Sequence, residues 1–182
     1  MKIRELFQGQ IDRRIEEVIK VDQTDKQIIR DEIREYVPTE SIKRHYTKIF
    51  DRYYETPNHP HEGIAVWISG FFGSGKSSFA KLLGLSLEND DILGTPAAEQ
   101  IGQKVADAKI QVLLKNISEH IPTTSVIFDV ATDRSIRTNQ SLTEIMYKLF
   151  LQKLGYARDL DPLAGKKVHK TVKFTRRPIA LA

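Results

Sequence analysis

The chain has 182 residues, a formal net charge of +4 and a hydrophobic content of 40%. This length fits one domain and is too short for two sizeable ones, and the apolar content allows a real core. No run approaches the roughly 18 apolar residues of a membrane-spanning helix, and the lack of cysteines excludes disulfides and thiolate metal sites. Because the N-terminus also lacks an apolar signal region, we expect a cytoplasmic protein with no membrane partner.

The positive charge is concentrated at one end of the chain. Residues 157–182 carry seven Lys/Arg and two Asp, a net charge of +5, whereas the remaining residues carry 21 Lys/Arg and 22 Asp/Glu. The basic character therefore belongs to this segment, and it does not indicate a nucleic-acid-binding surface for the whole protein. We predict that residues 156–182 form a basic, disordered tail.

Two amphipathic helices are predicted within a helical N-terminal region, residues 1–56. The first begins at Thr24, where Gln27 completes the spacing of a capping box, and it ends before Pro38. The second runs from about Glu40 to Tyr54, and its aromatic side chains are predicted to lie in the core. Its apolar face consists of Ile42, Tyr46, Ile49, Phe50 and Tyr53. A polar, proline-rich connector then separates this region from a second one, residues 63–155.

The most specific motif of the chain is Gly-Phe-Phe-Gly-Ser-Gly-Lys-Ser at residues 70–77. It fits the phosphate-binding (Walker A) pattern G-x-x-x-x-G-K-[ST] at every fixed position. An apolar, β-branched run at 64–69, typical of a buried strand, precedes it, and a helix start at 78–83 follows it. In that context the glycine-rich backbone and the helix N-terminus direct N–H groups towards a phosphate. The alternative is a glycine-rich turn whose lysine is merely solvated.

The predicted nucleotide-binding residues cover this loop and the start of the helix. Lys76 is expected to reach the β- and γ-phosphates of ATP, and the Ser77 hydroxyl is expected to ligate Mg²⁺. The whole set is Gly70, Phe71, Phe72, Gly73, Ser74, Gly75, Lys76, Ser77 and Ser78. No residue is assigned a catalytic role.

Three further elements are predicted after the loop. A long helix over 97–119 carries an apolar face of Ile101, Val105, Ala108 and Val112, and a second buried strand follows at 125–130. Another amphipathic helix covers 140–154. Two apolar strands that alternate with helices predict an α/β fold around a mainly parallel sheet, with the helical N-terminal region packed against it.

Hydrolysis of a bound nucleotide needs an acid for the magnesium shell and a residue that orients the attacking water. Asp129, at the end of the strand 125–130, is a candidate for the first role. Val130 stands where the second residue, a Glu in many ATPases, would be expected. We therefore expect the chain to bind ATP and to hydrolyse it poorly on its own.

The first 155 or so residues resemble the N-terminal part of the large P-loop ATPase of BREX phage-defence systems (the BrxC/PglY type). The resemblance rests on Met-Lys-Ile-Arg-Glu-Leu-Phe at 1–7, on Val-Ile-Lys-Val-Asp-Gln at 18–23 and on the tyrosine-rich helix. It also rests on Val-Trp-Ile-Ser-Gly-Phe-Phe-Gly-Ser-Gly-Lys-Ser at 66–77. The stretch around Trp67 is far more specific than the loop motif alone.

This resemblance implies an incomplete P-loop NTPase domain of the AAA+/ASCE-like kind, with ATP and Mg²⁺ as cofactors and a role in antiviral defence. Other phage-defence proteins would be its partners, and a link to DNA through their complex is left open. It also implies that Asp129 is not the Walker B acid. Family members are far longer than 182 residues and the last 25 residues here do not look like theirs, so we expect a truncated form. The alternative is a natural short relative with a lysine-rich tail.

Two other functions stay open. A small P-loop kinase has about this length, but 69 residues precede the loop here, and Arg134 and Arg137 are the only pair resembling a lid over the phosphates. A non-enzymatic interaction module gated by a nucleotide would need binding alone. Phosphate release in the presence of candidate acceptor substrates separates the kinase from the other two.

Overall fold

A computed structural model describes residues 20–21, 23–59, 65–128 and 142–153, and these ranges are mainly helical. Their elements are α1 (Lys26–Glu35), α2 (Glu40–Glu55), α3 (Lys76–Glu88), β1 (Asp91–Ile92), β2 (Thr95–Pro96), α4 (Ala97–Val105), α5 (Ala108–His120) and α6 (Leu142–Lys153). None of the helices in these ranges is both long enough and apolar enough to cross a lipid bilayer.

The predicted α/β fold with a mainly parallel sheet is wrong for the described residues. The sheet found there is a two-stranded antiparallel hairpin, in which β1 pairs with β2. The described parts of the two predicted strands, 65–69 and 125–128, have no strand conformation. A parallel strand forms where a neighbouring strand accepts its backbone hydrogen bonds, and within the described ranges neither segment has such a neighbour.

The second of these segments packs on a helix instead of a strand. The Ser125 hydroxyl donates to the backbone carbonyl of Gly84 in α3 at 2.8 Å. Ile127 lies so close to the same glycine that a Cβ added there would be 2.5 Å from its Cδ1 atom. The described part of this run, residues 125–128, is thus partly buried and contacts a helix. Residue 64 and residues 129–130, including Asp129, lie outside the described residues.

The predicted N-terminal helices are present, with one correction at a cap. Asp25, and not Thr24, caps α1, because its carboxylate accepts from the backbone N–H groups of Gln27 at 2.8 Å and Ile28 at 3.4 Å. The helix ends at Glu35, shortly before Pro38, which disfavours helical backbone in the residue that precedes it. In α2, the predicted burial of Tyr46 and Phe50 is confirmed.

The predicted long helix over 97–119 is two helices. Ala106 has a left-handed backbone, with φ of 53°, and the Asp107 carboxylate then caps α5 by accepting from the Ile110 N–H at 3.0 Å. This break shifts the apolar face, so Ala108 and Val112 are exposed although the continuous pattern predicted their burial. The buried side chains of α5 are Ile110, Leu113, Leu114 and Ile117.

The core is built around α5, which packs against α2, α3 and α4. Helices α4 and α5 approach closely at Gly102, whose carbonyl accepts from the Gln111 side-chain amide at 3.1 Å. The core side chains are Ile29, Ile33, Tyr46, Phe50, Leu82, Ile92, Ala97, Ala98, Ile101, Val105, Ile110, Leu113, Leu114 and Ile117. Helix α3 contributes Leu82 to this core, and its first residue, Lys76, directly follows the glycine-rich loop.

We expect the Asp107 cap at this break to stabilise the fold. Asp107→Ala should lower the free energy of unfolding by about 1 kcal/mol, because the Ile110 N–H loses its acceptor. Asp107→Asn keeps an oxygen acceptor and should retain most of that stability. Urea unfolding of both variants tests this, and equal losses in the two would show that the side-chain cap is not the cause.

Helix α6 agrees in position with the predicted helix over 140–154. Its Ile145 is buried, and Lys153 forms a salt bridge with Glu88 at the end of α3, at 2.6 Å. The basic tail, Arg134 and Arg137, and the first 19 residues lie outside the described residues.

Candidate functional site

The glycine-rich loop leads directly into α3. Gly73 and Gly75 have φ of 78° and 83°, in the left-handed region that favours glycine. Gly75 is the N-cap of α3, and no side-chain hydrogen bond caps this helix start. The first N–H groups of an α-helix have no partner inside the helix, so those of α3 are available to an acceptor at the loop.

The side chain of Lys76 folds back over this loop. Its Nζ donates to the backbone carbonyls of Gly70 at 2.9 Å and of Phe71 at 2.6 Å. No ion pair joins it to a carboxylate of the described residues. The ammonium is thus held at the end of α3 by neutral acceptors.

The other predicted site residues surround this lysine. Ser77 is exposed, and Ser78 is half-buried. Phe71 and Phe72, at the tip of the loop, are almost fully exposed. The segment before the loop is exposed too: Trp67 keeps 91% of its accessible surface, whereas the sequence predicted a buried strand here.

A cavity of about 1170 Å³ opens beside the loop. One wall consists of residues 66–71 and 73–76, and α3 contributes Ser78, Phe79, Lys81 and Leu82. Helices α1 and α2 and their connector form the facing wall, whose apolar side chains are Ile28, Val37, Ile42 and Ile49. The sequence analysis missed this wall, because no local pattern relates the α1–α2 connector to a loop more than 30 residues later.

An ion pair lies in the lining of the cavity. The Nζ of Lys81 is 2.5 Å from a carboxylate oxygen of Glu32, and it also donates to the Lys20 carbonyl at 2.8 Å. The Lys81 side chain is 2% exposed and that of Glu32 is 17% exposed. This ion pair connects α3 to α1. Sequence reasoning missed it, although a lysine inside the apolar stretch 79–83 was a signal.

Two tyrosines connect the α1–α2 region to α3. The single O–H proton of Tyr46 has two acceptors within reach, the backbone carbonyl of Phe79 at 3.3 Å and the Tyr36 hydroxyl oxygen at 3.5 Å. Burial raises the pKa of Tyr46 above its usual value of about 10, and it raises the pKa of Tyr36 as well, partly offset by the hydrogen bond from Tyr46. Both hydroxyls are therefore protonated and uncharged at neutral pH.

In the described ranges, no three His, Cys, Asp or Glu side chains are grouped so that they could hold a metal ion. The predicted magnesium ligand, the Ser77 hydroxyl, is accessible at the loop. Asp129, the candidate acid, falls outside those ranges.

The loop, its lysine and the adjoining cavity are the features on which a functional assignment can rest. No protein-family model matches the chain, and no solved structure matches it.

Proposed function

We propose that residues 70–78 bind the phosphates of ATP as its Mg²⁺ complex. The observation that carries this proposal is the position of the Lys76 ammonium over a glycine-rich loop, at the uncapped N-terminus of α3. Amide N–H groups, the positive end of the helix dipole and a lysine cation converge there, and each favours an anion.

The present partners of Lys76 support an exchange for phosphate. Its two hydrogen bonds go to uncharged carbonyls, of Gly70 and Phe71. Hydrogen bonds between an ammonium and an anionic oxygen are roughly twice as strong as neutral ones. The left-handed backbone at Gly73 and Gly75 lets the chain approach the phosphates without a side chain in between.

Magnesium would be held at Ser77, together with phosphate oxygens and water. Mg²⁺ takes oxygen ligands in octahedral geometry and keeps several waters, so one hydroxyl from the chain and two phosphate oxygens suit it. The proposal concerns binding; a step of hydrolysis is not assigned to any described residue. On the resemblance carried by residues 66–77, we further propose that this binding serves a cytoplasmic phage-defence complex with other proteins.

Removing the loop lysine tests the proposal. Lys76→Ala should weaken binding of Mg·ATP by roughly 10- to 150-fold, since hydrogen bonds to charged groups contribute about 1.5–3 kcal/mol. Isothermal titration calorimetry of both proteins gives the two dissociation constants, and thermal unfolding checks that the variant is folded.

Lys115→Ala is the matched control, because Lys115 is an exposed cation on α5 that does not line the cavity. It should bind ATP with unchanged affinity. Equal affinities of Lys76→Ala and the wild type would reject the assignment of this loop, and so would a wild-type protein that binds no ATP.

A further inference from the structure

The cavity beside the loop is larger than a phosphate site needs. Small-molecule sites usually occupy about 300–1000 Å³, and this cavity has about 1170 Å³. Its loop side carries backbone groups and Lys76, next to the apolar side chains of residues 66–68. Its far side carries the apolar side chains of Val37, Ile42 and Ile49 from the α1–α2 region, together with carboxylates of α1. A ligand that fills the cavity would therefore have one charged and one largely apolar end.

Two apolar side chains of this lining are strongly exposed. Val37 keeps 74% and Trp67 keeps 91% of its accessible surface, although both line the same concave space. Apolar surface left in water costs free energy that a ligand can recover, and an indole ring offers a flat face on which a base can stack. Both features are typical of a site for an aromatic group.

Charges along α1 favour one orientation of such a ligand. The carboxylates of Asp31 and Glu35 lie in the lining on the side of α1, whereas Lys76 lies at the loop. Phosphates are repelled by the former and attracted by the latter. Carboxylates are also acceptors for the hydroxyl and amino groups of a nucleoside.

From these observations, we infer that Val37 and Ile42 of the facing wall, together with Trp67 of the loop wall, hold the adenosine part of the ATP whose phosphates occupy the loop. This inference rests on the proposed function and deepens it. The helical N-terminal region thereby contributes half of the nucleotide site, and α1 to α3 close around the ligand.

Comparison of ATP with inorganic tripolyphosphate, both as Mg²⁺ complexes, separates the two halves of the site. Trp67→Ala should weaken ATP binding by roughly 5- to 150-fold, the range for loss of an aromatic stack on a base, and leave tripolyphosphate binding unchanged. Val37→Ser should act in the same direction with a smaller factor. Both side chains are exposed, so neither substitution threatens the fold.

Val112→Ser is the control, since Val112 is an exposed apolar residue on α5 away from the cavity; both affinities should stay at the wild-type value. If Trp67→Ala and Val37→Ser leave ATP binding intact, or weaken both ligands equally, the inferred adenosine site is wrong while the loop assignment stands. If the wild type binds neither ligand, the proposed function itself fails and the inference fails with it.

Discussion

Lys81→Met should lower the free energy of unfolding by about 3–5 kcal/mol, the usual loss when one partner of a buried ion pair is removed. Methionine fills much of the same space, so the loss is electrostatic rather than a cavity effect. The Glu32 carboxylate, with its side chain 17% exposed, would stay in its place without the ammonium 2.5 Å away. Urea unfolding monitored by circular dichroism measures the difference.

A double-mutant cycle shows whether burial is the cause. Lys81→Met combined with Glu32→Leu removes both charges, so it should recover most of the stability lost in the single variant. Lys109 and Asp51 form an ion pair of nearly the same length, 2.6 Å, but with side chains 60% and 38% exposed. Lys109→Met should therefore cost about 0.2–1 kcal/mol. Similar losses at Lys81 and Lys109 would contradict the role given to burial.

Much of the local structure could be predicted from the sequence because helices are specified locally. The period of the apolar residues located α2 within one residue at each end, and Pro38 marked the end of α1. The loop motif likewise located the start of α3 to within two residues, since a helix was predicted from 78 and α3 begins at Lys76, directly after the left-handed Gly75. Each of these signals lies within a few residues of the structure that it determines.

The strands could not be predicted in the same way, because a strand depends on a partner that may come from anywhere in the chain. The runs 64–69 and 125–130 have the composition of buried strands, but composition does not supply a neighbour. In the described residues, Ile127 meets Gly84 of a helix, and Trp67 faces solvent. The break at Ala106 was missed for a related reason: alanine favours helix, and the packing of α5 back on α4 overrides that preference.

The candidate site likewise has one part that could be predicted from the sequence and one part that could not. The loop and Lys76 could be predicted, since their positions follow from one contiguous motif. The facing wall with Val37, and the pair of Lys81 with Glu32, depend on how α1 and α2 pack against α3, which no local pattern records. For this reason the sequence indicated the loop that we propose for the phosphates and missed the facing wall that we assign to adenosine.

Tyr46→Ala should lower the free energy of unfolding by about 3–5 kcal/mol, the cost of deleting a large aromatic side chain from a core. The Tyr46 side chain is fully buried, and its ring stacks on Phe50 at 5.6 Å and on Phe79 at 4.4 Å between centroids. Phe79 lies in the first turn of α3, so this stack supports the helix start that carries Lys76. Tyr54→Ala, at a partly exposed position of the same helix, should cost much less. Comparable losses would contradict the central position of Tyr46.

The hydroxyl of Tyr46 adds a pH dependence that a phenylalanine removes. Because burial raises the pKa of Tyr46, the folded protein keeps this proton at pH values above 10, where the unfolded chain loses it. Above pH 10 the folded state therefore binds more protons than the unfolded chain. The free energy of unfolding keeps its full value below pH 10 and falls above it by about 1.4 kcal/mol per pH unit for each tyrosine that the fold keeps protonated. Tyr46→Phe should lower the free energy of unfolding by about 1 kcal/mol at neutral pH, because the hydrogen bond to the Phe79 carbonyl is lost. Above pH 10 the free energy of unfolding of this variant should fall less steeply than that of the wild type. Urea unfolding of both proteins from pH 8 to 11 measures the two slopes; equal slopes above pH 10 would show that the Tyr46 hydroxyl is not held in its neutral form by the core.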